Sequence, residues 1–322
     1  FNLAISSECA QSCNFCSIKE MSPASDGGDA LFARLSADLV ASRQRGVSGI
    51  RVNGYDPLSY SRILDVLAYA KDLGYARAHV FSPCTLLADH AFCAAVVEAL
   101  PAERTFFVPL YAASAPVHDQ VVGRPGAHAL VMRAVDHLAE LAGPASIAIL
   151  SVVTRDNLAD MVALARLAES RRLSFSAHLP YPSAESRADR YFESAPRQTS
   201  VVEAFVPAYR DGSYRRFFPV SGVAPCVTFR AMRAAGVPVT RWLEAPERRP
   251  MLPGAEYKAP SFTHGAGQRE HAAFVSAAVP CPHAASCSLA PACPGELLRS
   301  YVELHGIDEV KPVSLRELLA AK

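Results

Sequence analysis

Six times in its first 210 or so residues, this chain follows a short apolar, β-rich run with an amphipathic helical stretch. The runs Asn2–Ser6, Gly49–Asn53, Ala78–Ser82, Thr105–Tyr111, Ser146–Val153 and Ser174–Leu179 have the length and β-branched content of buried strands. The stretches Asp29–Arg45, Ser59–Leu73, Ala88–Ala99, Gly126–Leu141, Leu158–Arg171 and Thr199–Tyr209 have helical spacing, as Ile63, Leu64, Leu67 and Ala70 show. Alternating strand and helix imply a parallel sheet with right-handed crossovers. Six units rather than eight predict an α/β fold of the partial (β/α)6, TIM-like barrel type over residues 1–212. From about residue 210 the alternation is expected to stop, and Pro and Gly become frequent. Residues 213–322 therefore read as a small C-terminal cysteine-containing domain.

In such folds chemistry collects at the carboxyl ends of the strands. CAQSCNFC follows strand 1, NGYDP strand 2, SPC strand 3, LYAASAPVHD strand 4, TRDN strand 5 and HLPYPS strand 6. Each polar, Pro-rich or cysteine-bearing segment falls on that one rim.

Nine cysteines among 322 residues are the compositional anomaly, and the number is odd. With no secretory signal visible, metal binding or catalysis is favoured over a disulfide framework. The start at Phe1 points to a trimmed N-terminus, and the expected location is the cytoplasm. A formal net charge of +1 with scattered Lys and Arg argues against nucleic acid as a partner. No apolar run approaches the ~20 residues needed to span a bilayer, so no membrane partner is expected.

Cys9, Cys13 and Cys16 stand as C-x3-C-x2-C directly after strand 1. Three thiolates suit a [4Fe–4S] cluster with one open iron; the competing readings are zinc completed by a distant ligand, or buried thiols. The motif, with Phe15 before its third cysteine, resembles the signature of the radical S-adenosylmethionine superfamily. That resemblance implies a cluster whose unique iron binds S-adenosylmethionine, reductive cleavage to a 5′-deoxyadenosyl radical, and abstraction of a substrate hydrogen atom. NGYDP resembles the family's GGEP segment, so Gly54, Tyr55 and Asp56 are implied to contact the methionine ammonium. Asp56 stands for the usual Glu and Tyr55 for a Gly.

The segment VHDQVVGRPGAH resembles the stretch after strand 4 in the branch with C-terminal cluster domains. Pro109 and Tyr111 stand where that branch often has Ser and Asp, so the resemblance implies that the carboxylate-binding serine is either missing or relocated to Ser151 or Thr154. Tyr111, His118 and His178 are implied to face substrate, with a loop-stabilising His118–Asp119 pair as the alternative. Cys281, Cys287 and Cys293, spaced C-x5-C-x5-C, resemble a shortened twitch- or SPASM-like auxiliary domain. Cys226 is the candidate fourth ligand of a second [4Fe–4S] cluster; zinc is the competing metal, and His283 an alternative ligand. Cys93 reads as a core thiol. Cys84 reads first as packing and second as a hydrogen-atom donor at the rim.

The resemblance implies an oxidoreductase or maturase that takes electrons from a one-electron donor such as flavodoxin or ferredoxin. It implies a peptide or small-molecule substrate, with modification of a peptide or natural-product precursor put first. Dehydrogenation of a sugar-like alcohol is the alternative enzyme. A non-catalytic iron–sulfur or zinc protein is the alternative of another class.

Overall fold

The computed structural model describes residues 1–5, 8–16, 28–180, 192–211, 220–239, 278–293 and 295–321. Strands β1 (Asn2–Ile5), β2 (Gly49–Gly54), β3 (Arg77–Phe81), β4 (Glu103–Pro109), β5 (Ile147–Val152), β6 (Ser174–His178) and β7 (Val220–Ser221) form one sheet in sequence order. The described pairings β1–β2, β2–β3, β3–β4, β4–β5 and β6–β7 are all parallel. Parallel strands covered on both faces carry nearly continuous apolar runs, as β5 does: five of its six residues are buried.

The crossover helices are α1 (Gly28–Gln44), α2 (Ile63–Asp72), α3 (His90–Ala99), α4 (Ala115–Val122), α5 (Ala127–Ala142) and α6 (Met161–Ser170). Ile63, Val66, Leu67 and Ala70 of α2, and Val131, Ala134, Val135 and Leu138 of α5, are buried stripes at i, i+3, i+4, i+7. Asp89 caps α3 by accepting the Phe92 N–H at 2.8 Å, so the helix starts two residues after the Ala88 read from the sequence.

Two expectations need correction. The segment after β4, where the sequence reading has no helix before Gly126, holds α4, which has Pro116 in its first turn and stops at Gly123, whose φ is +61°. At eight residues it is too short to show a periodicity. Nor does the alternation end near residue 210. After α7 (Gln198–Arg210), β7 pairs parallel with β6, Ala177 opposite Val220, and α8 (Pro225–Ala234) follows. A two-residue strand has no readable pattern.

The chain divides into two compact units, 1–151 with 167–175, and 152–166 with 176–322. The second holds an antiparallel pair, β8 (Ala278–Pro280) with β9 (Glu296–Leu298), then α9 (Arg299–His305) and α10 (Leu315–Leu319). Its core joins α7, α8 and the C-terminal segments through Val202, Phe229, Met232, Leu297 and Val313. Among the described residues, no helix is long and apolar enough to cross a membrane.

Candidate active site

In the first unit the C-x3-C-x2-C loop is fastened by its backbone. The Ser12 N–H donates to the Val122 carbonyl at 2.8 Å, and the Asn14 N–H to Val121 at 3.0 Å. This docks the loop on the last turn of α4. The approach needs Gly123, since a Cβ there would meet the Ser12 carbonyl oxygen at 2.9 Å. Within the loop the Cys16 N–H reaches the Cys13 carbonyl, and the Cys13 thiol points to Gln11 Oε1 at 3.7 Å. Cys9, Cys13 and Cys16 are all half-buried, and no two of the described cysteines form a disulfide. Burial first, then the nearby Asp56 and Cys16, push the Cys9 thiol up, while the Gln11 backbone and Arg124 pull it down. Phe15 meets the ring of buried Tyr111 edge-on at 5.0 Å.

The loop after β2 is built against the same region. Ser59 Oγ lies 3.0 Å from the Glu8 carbonyl oxygen and 2.9 Å from the Asp56 carbonyl oxygen, its one hydrogen shared between the two acceptors. Gly54 has φ +140° and lies so close to β1 that a Cβ would stand 1.9 Å from the Ile5 carbonyl oxygen. Asp56 is 3% exposed, and its Oδ1 accepts the Ser82 hydroxyl at 2.8 Å. Burial holds its carboxyl above the usual range, against the Ser82 bond, the Leu58 N–H and Arg124. Asn53 Oδ1 and Tyr55 Oη are buried without a hydrogen-bond partner among the described residues. Buried polar atoms are normally satisfied, and these two belong to the segment that carries the buried Asp56.

Ser82 and Arg124 escaped the sequence reading. Ser82 is separated from Asp56 by 26 positions, and Arg124 looked like any loop arginine.

Other candidates take structural partners. The His118 Nδ1 accepts the Tyr111 N–H at 3.2 Å, which makes Nε2 the protonated nitrogen of the neutral ring. Burial, with His128 adding to it, pulls the His118 pKa down to about 4. Asp119 caps α5, accepting from Gly126 N–H at 2.6 Å and His128 N–H at 2.8 Å. Cys84 is fully buried at φ +60°, its sulfur 3.1 Å from the Ser82 carbonyl, and burial raises its thiol strongly. Ser151 is fully buried on β5.

In the second unit Thr154 is buried, its Oγ1 without a partner among the described residues and its N–H donating to Asn157 Oδ1 at 2.7 Å. His178 lies at the end of β6, its Nδ1 3.0 Å from the Leu179 carbonyl, and burial lowers its pKa.

Cys226, Cys281, Cys287 and Cys293 line one cavity of this unit, together with His283 and the 310–312 segment. Cys226 comes from the first turn of α8, and the Cys281 N–H bonds the Gly295 carbonyl at 2.8 Å beside β8–β9. The Cys287 sulfur accepts the Val313 N–H at 3.4 Å. Burial, then the other three thiols, push Cys226 up to about 11 against the Lys311 backbone, as expected for thiols gathered in an apolar pocket. Among the described residues no three His, Cys, Asp or Glu side chains converge closely enough for one metal ion. A cubane needs no such convergence, because each thiolate serves a different iron.

No family model matches this sequence, and no curated protein does. Solved structures do. SuiB of Streptococcus suis, in a crystal structure bound to S-adenosylmethionine, matches with TM-score 0.52 and 16% identity over 69% of this chain and 50% of its own. A second SuiB crystal structure gives TM-score 0.49 and 18% identity over 72% and 51%. TYW1 with a lysine-pyruvate adduct bound gives TM-score 0.39 and 13% identity over 62% and 68%. The chain thus spans about half the length of SuiB. The parallel strands with their crossover helices, and a small two-stranded sheet after them, give this chain an α/β partial-barrel fold similar to that of SuiB.

Proposed function

We propose that this chain is a radical S-adenosylmethionine enzyme that modifies a peptide or natural-product precursor. The observation that carries the reading is the meeting of the three-thiol loop with the Gly54–Asp56 segment in the first unit. Ser59 ties the two backbones together, and burial of Asp56 makes its charge interact with Cys9.

Cys9, Cys13 and Cys16 would hold a [4Fe–4S] cluster by three irons and leave the fourth for the amino and carboxylate groups of S-adenosylmethionine. Once loaded and reduced by a flavodoxin- or ferredoxin-class donor, that group supplies a 5′-deoxyadenosyl radical able to take a hydrogen atom from an unactivated C–H bond. The protein supplies the placement. Asp56, oriented by Ser82, would offer its carboxylate to the methionine ammonium, and the orphaned Asn53 and Tyr55 atoms would offer further hydrogen bonds. The left-handed region that Gly54 occupies lets the backbone turn there without a side chain in the way. Phe15 packs on Tyr111 and stiffens the loop between the second and third thiols.

A second cluster, held by Cys226, Cys281, Cys287 and Cys293, is part of the same reading, supported by their shared cavity. The resemblance of the C-terminal tail to the cluster-bearing branch supports a peptide or natural-product substrate.

The test is anaerobic reconstitution with iron, sulfide and dithionite, followed by assay of S-adenosylmethionine cleavage. The wild type is expected to release 5′-deoxyadenosine, and Cys13→Ala to release none. No 5′-deoxyadenosine from the wild type, with iron content unchanged in Cys13→Ala, overturns the reading.

A further inference from the structure

We propose that the second unit carries a binding site for the carboxylate of an organic acid about the size of an acidic amino-acid residue, in the pocket lined by Arg155, Arg197, Ser200 and His305. The site goes beyond the proposed reaction and uses none of its cofactors.

The pocket has a volume of about 420 Å³ and is open to solvent, with Leu158 and Pro196 as its apolar wall. That volume falls in the range of small-molecule sites and far exceeds the share of one water or a bare ion. Arg155 comes from the loop after β5, Arg197 and Ser200 from the start of α7, and His305 from the end of α9.

Both guanidinium groups are fastened by the same edge. Arg155 Nε donates to the Ala195 carbonyl at 3.0 Å, and Arg197 Nε donates to Glu309 Oε1 at 3.2 Å. The terminal nitrogens of each have no partner among the described residues, so two pre-set forks remain available. Glu309 is itself held in place, accepting the Thr199 N–H at 3.1 Å and the Tyr301 hydroxyl, which in turn accepts the Gln198 N–H at 2.9 Å. His305 Nε2 lies 3.2 Å from the same Ala195 carbonyl. A carbonyl only accepts, so that nitrogen carries the hydrogen. The ring is further set by Tyr301, 4.8 Å away.

Charge selects the ligand. Glu309 offsets Arg197, whereas no carboxylate among the described residues pairs with Arg155. Burial lowers the His305 pKa, leaving the ring neutral at neutral pH. One net positive charge, with guanidinium forks and an apolar wall, matches a monoanionic carboxylate on a hydrocarbon stem. A phosphate monoester, dianionic and without that stem, fits less well. Ser200 Oγ adds a donor on the rim.

The experiment is titration of the full chain, without iron or S-adenosylmethionine, followed by calorimetry and by the His305 ring resonances in NMR. The probes are N-acetylglutamic acid α-amide, its neutral glutamine counterpart and inorganic phosphate. The glutamic probe should bind saturably, and about tenfold tighter than either other probe. Arg155→Gln should weaken it about tenfold or more in a protein that stays folded, and Ser200→Ala by a smaller factor with an unchanged melting temperature. Equal binding of the neutral amide, tighter binding of phosphate, or an affinity within about twofold of wild type in folded Arg155→Gln would each overturn the assignment. Because S-adenosylmethionine is absent, failure here leaves the 5′-deoxyadenosine test untouched, and the converse holds.

Discussion

A methyl group at position 54 would stand 1.9 Å from the Ile5 carbonyl oxygen, on a backbone already at φ +140°. Gly54→Ala must therefore push β2 off β1 at the point where their register closes, Ile5 opposite Gly54. The expected cost is about 3 kcal/mol or more, read as a fall in the denaturant midpoint. Two positions on, Asp56 has the opposite sensitivity, to protons. Its folded carboxyl titrates above its unfolded value, so the folded state holds the extra proton between the two. That contribution to stability is complete below the unfolded pKa and is lost as pH rises through the folded one. Ser82→Ala removes a bond that favours the ionised form. It should destabilise the protein by about 1.5–3 kcal/mol at pH 7 and by less in acid. The pH at which S-adenosylmethionine binding reaches half its maximum should also move upward. Melting curves at two pH values and a binding profile check both. Asp56 drew attention in the sequence because it stands in a G-x-D-P turn directly after a strand. Ser82 did not, because a serine before proline looks the same whether it holds a carboxylate or merely ends a strand.

Helix α8 carries Cys226 and Phe229 three positions apart, hence on one face, and both are buried in the core of the second unit. Phe229→Ala should cost about 3–5 kcal/mol by leaving a cavity behind the thiol. In the proposed holoenzyme it should lower the iron bound by the second unit while the loop after β1 keeps its share. The complementary variant, with Cys9, Cys13 and Cys16 all changed to Ala, should retain about four irons. Iron and sulfide analysis of the two proteins checks the pair, and zinc alone in the triple variant would refute the second cluster. Six strands and their crossovers were legible because each carries its own period. Helix α4 and strand β7 were not. Eight residues and two residues are too short for a pattern, and what fixes them lies elsewhere in the chain: Gly123 against Ser12, and β6 beside β7.

Across the chain, strands and cysteines are read easily, whereas the Arg155–Arg197 pocket draws on residues from positions 155 to 305 and leaves no local trace. Metal should feed back on stability, because binding that exists only in the folded state is folding free energy. Reconstituted protein should melt above the iron-free form, by about 1–2 °C for each kcal/mol gained. A further consequence lies in the way the first loop is fastened. The residues that fix it, Val121 and Val122, are made more than a hundred positions after the cysteines they organise. At translation speeds of about 5–20 residues per second, the three thiols spend on the order of 5–20 s outside the ribosome before their anchor exists. Through that interval the three thiols lack the backbone bonds that shape their loop, so the loop is timed by synthesis of α4 rather than by the appearance of its own residues.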